Sequence, residues 1–88
     1  MKLSVRVSVH ERGNSASNSF ETEEVGKRIS LGIQDLAIRI KEIGPYKIDF
    51  SFLKGEDADE ISLRRGQAVT YSAEGNAFGY LICFEANE

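Results

Sequence analysis

The residues of this sequence that could do chemistry are few and scattered. His10 is the only histidine and sits beside Glu11 at the end of a strand-like run. An imidazole there can serve as a base or a metal ligand. No His-x-x-x-His or Cys-x-x-Cys spacing accompanies it, so it reads as an exposed strand-end histidine. Cys83 is the only cysteine. A catalytic thiol needs an accessible, electropositive setting. Cys83 instead falls among large apolar residues and reads as a packed core thiol. With one cysteine no intrachain disulfide forms, and nothing points to an oxidising compartment.

Glu56, Asp57, Asp59 and Glu60 bring carboxylate oxygens together in one short stretch. Such oxygens suit a hard cation such as calcium. The stretch lacks the Asp-x-Asp-x-Asp-Gly spacing of an EF-hand and has no internal glycine to make the ligands converge. It reads first as a solvated hairpin loop, with a weak cation site or a basic partner as the alternative. Arg64 and Arg65 are adjacent, and a guanidinium pair can hold a phosphate or carboxylate. Alternate residues of a strand point to opposite faces, so adjacency alone does not make them converge.

The glycines form neither a phosphate loop nor a dinucleotide fingerprint. There is no Gly-x-Ser-x-Gly nucleophile elbow. No catalytic residue is therefore assigned, no cofactor is implied, and a non-enzyme is expected. Tyr46, Tyr71 and Tyr80 are candidates for interface work, because tyrosine buries area while keeping a polar tip. Asn14 and Asn18 lie in a polar run, residues 11–19, which reads as a loop longer than the usual ~4–6 residues; long loops often carry binding function. The candidate partner-binding set is Asn14, Asn18, Tyr46, Tyr71, Arg64 and Arg65.

The elements that must position these residues read as strands. Leu3, Val5, Val7 and Val9 alternate with polar residues, and β-branched valine favours a strand. Residues 20–25 form a short candidate strand anchored by Phe20, with Glu21, Glu23 and Glu24 guarding its edge. A turn at Gly26-Lys27 leads to a strand with Ile29, Leu31 and Ile33. Residues 34–43 fit two templates: a strand with Leu36, Ile38 and Ile40 on one face, or a helix stopped by Gly44-Pro45. The neighbouring strands favour the first. Ile48, Phe50 and Phe52 alternate cleanly; a loop over residues 54–60 follows, and then Ile61 and Leu63 resume the pattern. Gly66 marks a tight turn or bulge. Val69 and Tyr71 belong to the next strand, and a turn over residues 72–77 is centred on Gly75-Asn76.

The final strand, residues 78–86, is apolar on both faces. Residues 78–84 carry no charge and no proline, which is an aggregation signature if exposed. That strand must be central in a sheet or covered by a second copy in a homodimer. A central position would bury Leu81, so that a lysine there would unfold the domain.

Seven or eight short strands at this spacing predict a single all-β domain over residues 1–88, a small antiparallel β-sandwich. The alternative is α+β with one helix at 34–43. The expected core is Val5, Val7, Leu31, Ile38, Ile40, Ile48, Phe50, Phe52, Leu63, Tyr80, Ile82 and Phe84. Eleven Lys+Arg against 14 Asp+Glu give a net charge of -3, which argues against nucleic acid and an anionic membrane surface as partners. Arg6 and His10 interrupt what would have to be an apolar signal core, and the cytoplasm is the expected compartment. The function expected is that of a non-catalytic protein-interaction module such as a small inhibitor, immunity-type or adaptor protein. The alternative is a small-molecule or ion-binding β domain using residues 56–60 or the Arg64/Arg65 pair.

Overall fold

A computed structural model describes residues 1–33, 35–74 and 78–87. Eight strands follow one another along the chain: β1 (Lys2–Glu11), β2 (Asn14–Thr22), β3 (Arg28–Ser30), β4 (Leu36–Ile43), β5 (Lys47–Lys54), β6 (Asp57–Arg64), β7 (Ala68–Glu74) and β8 (Phe78–Asn87). They form two four-stranded antiparallel sheets. Sheet A has the order β2-β1-β8-β7, and sheet B the order β3-β4-β5-β6. The protein is an all-β sandwich. Residues 36–43 are strand, so the helical template for 34–43 is not realised; Gln34 lies outside the described residues.

Period-2 alternation explains the core. Register pairs Val5 with Phe84 and Val7 with Ile82 on the inner face of sheet A. Ile38 meets Phe52 and Ile48 meets Leu63 on the inner face of sheet B. Every expected core residue except Tyr80 is buried, and Leu3, Ile33, Leu36, Ala37 and Ala86 join them. Tyr80 is half-buried. The sheets meet through aromatic rings: Phe50 lies 5.1 Å and Phe52 5.2 Å from Phe84, centroid to centroid. Tilted pairs at this distance add to what burial alone contributes.

Between Ile40 and Glu42 the β4–β5 register slips by one residue, a bulge at Lys41. The slip turns Lys41 and Glu42 to the outer face together and returns Ile43 to the inner side.

Several loops expected from the sequence are strands. Residues 11–19 are not a long loop. Arg12 (φ 45°) and Gly13 (φ 83°) make a two-residue turn, and β2 begins at Asn14. Positive φ at both central positions is the type I′ geometry that matches strand twist. Serine and asparagine have low strand propensity, but here they line an edge strand paired along its length with β1. Tertiary context outweighs propensity at such positions. Residues 54–60 are likewise not a loop: Gly55 (φ 62°) and Glu56 make the whole turn, and Asp57 opens β6. β2 ends at Thr22, so Glu23 and Glu24 lie beyond the edge they were expected to guard. β3 stops at Ser30: the Leu31 N–H still donates to the carbonyl of Leu36, its register partner, but the Leu36 N–H turns to the Ile33 carbonyl and closes the ladder. Residues 72–74 of the expected turn over 72–77 belong to β7, and Gly75-Asn76, its expected centre, lies with Ala77 outside the described residues.

β8 is central, flanked by β1 and β7. Leu81 nevertheless points to the outer face of sheet A and is 44% exposed. The expectation that a central strand would bury it is wrong, because among the described residues no layer covers that side of the sheet.

Candidate functional site

Three of the expected partner-binding residues come together at one end of the sandwich. Tyr46 sits in the β4–β5 turn, Arg64 ends β6, and Arg65 lies in the β6–β7 turn. The reason is local. Pro45 fixes its own φ and fits a tight turn, and the Gly44 N–H donates to the Lys47 carbonyl at 2.8 Å across it. In the second turn the Gln67 N–H donates to the Arg64 carbonyl at 2.9 Å, and Gly66 takes φ 80°. A positive φ at the second central position alone is type II geometry, which glycine satisfies without strain.

The two turns are joined by the backbone. The Arg65 N–H donates to the Tyr46 carbonyl at 3.0 Å. The Gly66 N–H donates to the Ala86 carbonyl at 2.9 Å, fastening the second turn to β8. The side-chain carbonyl of Gln67 accepts the Arg64 N–H at 3.0 Å. Lys47 and Arg64 are cross-strand partners on the outer face of sheet B. Tyr46, Lys47, Arg64 and Arg65 therefore share one surface on a hydrogen-bonded platform. Tyr46 is 78% exposed. Lys47 leans toward Asp49, 3.8 Å away; among the described residues no carboxylate forms an ion pair with the Arg64 guanidinium.

The other candidates go elsewhere. Tyr71 is not a surface residue but half-buried, its ring 5.2 Å from Phe52 and 6.0 Å from Phe84. Its register opposite Ile82 puts it on the inner face. Asn14 and Asn18 are exposed on β2, and Asn14 pairs at the end of sheet A far from Ala86. Cys83 is half-buried on the outer face between Arg6 and Thr70, not packed in the core. His10 is exposed and lies opposite Ser15 and Gly79.

The carboxylates of residues 56–60 do not converge. Asp57 and Asp59 share the parity of the inner face, and Glu60 points outward with Ser51. Asp59 pairs with Lys54 at 2.8 Å. Glu60 pairs with Lys41 at 2.5 Å and accepts from the Ser51 hydroxyl. Lys41 follows Ile40 outward by plain alternation and Glu60 lies outward opposite Ser51, so this ion pair crosses the outer face of sheet B. The ammonium of Lys41 and the hydroxyl of Ser51 hold the Glu60 carboxyl below the ordinary carboxylate range. The hydrogen bond to Asp59 holds Lys54 above the ordinary lysine value. Among the described residues, no three His, Cys, Asp or Glu side chains gather as a group able to hold a metal, and no helix is long and apolar enough to cross a membrane.

Two shallow depressions open on the outer faces. One, of about 410 Å³, runs over Ser4, Arg6, Glu21 and Cys83 on sheet A; the other, of about 460 Å³, over Lys41, Asp49, Glu60 and Ser62 on sheet B. Small-molecule sites are concave and bury most of their ligand, whereas these lie open on flat strands. No family model matches the chain, and neither a curated protein nor a solved structure is significantly similar to it.

Proposed function

We propose that this protein is a non-catalytic protein-interaction module, in the manner of a small inhibitor, immunity-type or adaptor protein. Its contact surface is the turn end formed by Tyr46, Lys47, Arg64 and Arg65. The observation that carries this reading is the convergence of an exposed tyrosine and three cations on turns locked by backbone hydrogen bonds. Tyrosine and arginine dominate the energetics of protein interfaces. A turn already fixed in place loses little entropy on binding. Cations facing solvent select a partner whose matching surface is acidic, and they speed its encounter.

The ion-binding alternative draws on the same place. Lys47 beside Arg64 presents two positive groups to an anion, and a carboxylate on a protein surface is the anion that also engages Tyr46. Affinity capture on immobilised protein supplies the partner, and calorimetric titration of that partner is the decisive measurement. Tyr46→Ala and Arg64→Glu should each weaken binding by about tenfold or more, the size of a hot-spot residue. Ser72→Ala, on the outer face of sheet A, should leave it unchanged. Equal affinity for all three variants overturns the assignment of this surface. Thermal melts in phosphate separate the alternative, since a free anion at 100 times its dissociation constant stabilises the fold by about 2.7 kcal/mol.

A further inference from the structure

Sheet A carries an edge built for strand addition. β2 pairs with β1 on one side only. In a two-residue hairpin the residues flanking the turn, here Glu11 and Asn14, exchange both backbone bonds. Asn14, Ala16 and Asn18 therefore aim their backbone groups at β1, and Ser15, Ser17 and Ser19 aim theirs at the open edge. Natural edges are blunted by charge, proline, bulges or shortness. Residues 14–20 contain no charge and no proline, residues 14–19 are exposed, and the β1–β2 register is unbroken over nine pairs. The edges of sheet B differ. β6 carries Asp57, Asp59, Glu60 and Arg64, and β3 is three residues long.

We infer that the open edge of β2 takes a second copy of this chain, antiparallel, with the two-fold axis at Ser17. That register sets Ser17 opposite itself, and Ser15 opposite Ser19, as hydrogen-bonded pairs. It uses the whole uncharged run. It also sets Arg12 and Gly13 in the turn of one copy opposite Thr22 and Glu21 of the other, so a cation and a carboxylate lie one register step apart at each end of the run. The same surface patch on both copies makes the contact isologous and closed, and the two A sheets join into one of eight strands. β7, the other edge of sheet A, is shorter, is fastened at its start to sheet B through the turn at Gly66, and has Val69 and Tyr71 half-buried. The β2 seam is separate from the turn end, so failure of either assignment leaves the other standing.

Sedimentation of the full chain tests the seam. The wild type should sediment as a dimer at roughly 100 μM, as a dissociation constant in the micromolar range requires. Ser17→Pro removes a donor that faces the open edge and leaves the β1 ladder intact; it should be a folded monomer. Ser17→Lys and Ser17→Glu each place like charges across the axis and should weaken the dimer at least about tenfold. An equimolar mixture of these two variants should restore a dimer, which a variant that merely failed to fold cannot do. A monomeric wild type overturns the inference. So does a dimer that Ser17→Lys leaves intact, or a series of growing polymers, which would indicate β2 pairing with β7.

Discussion

The two sheets solve the same problem in opposite ways. Sheet B is a meander of four consecutive strands whose outer face is held by charge and hydroxyl contacts. Lys41 pairs with Glu60, Lys47 with Asp49, and the Ser62 hydroxyl donates to Asp49. Sheet A joins the two ends of the chain through β1 and β8. Its outer face is built mainly of short side chains, including Ser4, Ser8, Ser17, Ser19, Thr70 and Ser72, with the ion pairs Lys2–Glu21 and Arg6–Glu85 among them. Exposed ion pairs contribute little stability; the charges of β6, Asp57, Asp59, Glu60 and Arg64, line an edge, where charge disfavours pairing with another strand. The lesson is that one molecule can carry a guarded and an unguarded sheet on one shared core.

That shared core is where the largest effect should lie. Phe50→Ala removes a fully buried ring from sheet B that packs on Phe84 of sheet A. Denaturant melts should show a loss of about 3–5 kcal/mol. A loss under about 1 kcal/mol would mean that the sheets do not depend on each other through this contact. The β1–β2 turn comes next. Gly13→Ala meets no atom within 4 Å, so only the backbone at φ 83° resists it. The expected loss is about 1–2 kcal/mol. No loss would mean that β2 is not held by a type I′ turn.

Leu81→Lys probes the bare outer face of sheet A. With Leu81 44% exposed, the variant should stay folded and lose under about 1 kcal/mol. Unfolding would show that something covers this face. Tyr46→Ala should change stability by no more than about 0.5 kcal/mol, while weakening partner binding as described above.

The smallest effect should be a pH dependence that separates sheet B from sheet A. The Glu60 carboxyl is held below its unfolded value by Lys41 and then Ser51. Its contribution is complete at neutral pH and is lost as pH falls through the folded value. Lys54 is held above its unfolded value by Asp59, so that contribution is lost as pH rises through its folded value. Glu60→Gln should flatten the acid limb of the stability profile and leave the alkaline limb alone. A change in the alkaline limb would break the assignment of the acid slope to this pair.

By itself the sequence determined the inner faces of β1, β4, β5 and β8. Ile48, Phe50, Phe52, Ile82 and Phe84 are buried where alternation places them, because the pleat repeats every two residues and a slip would turn them all outward. It also determined the all-β class and the turn character of Gly44-Pro45 and Gly66. Only the tertiary structure decided that Ser15, Ser17 and Ser19 form a strand, since nothing in their propensity asks for one and the β1 ladder supplies the reason. It decided that Tyr71 belongs to the aromatic core, since its depth depends on Phe52 in the opposite sheet. It brought Tyr46 to Arg65, residues remote in sequence that meet because two turns end at the same edge. Period-2 patterning reports which way a side chain points relative to its own strand. Which strand lies alongside, and what covers the far face, depends on contacts between segments distant in the chain, and no local pattern encodes them.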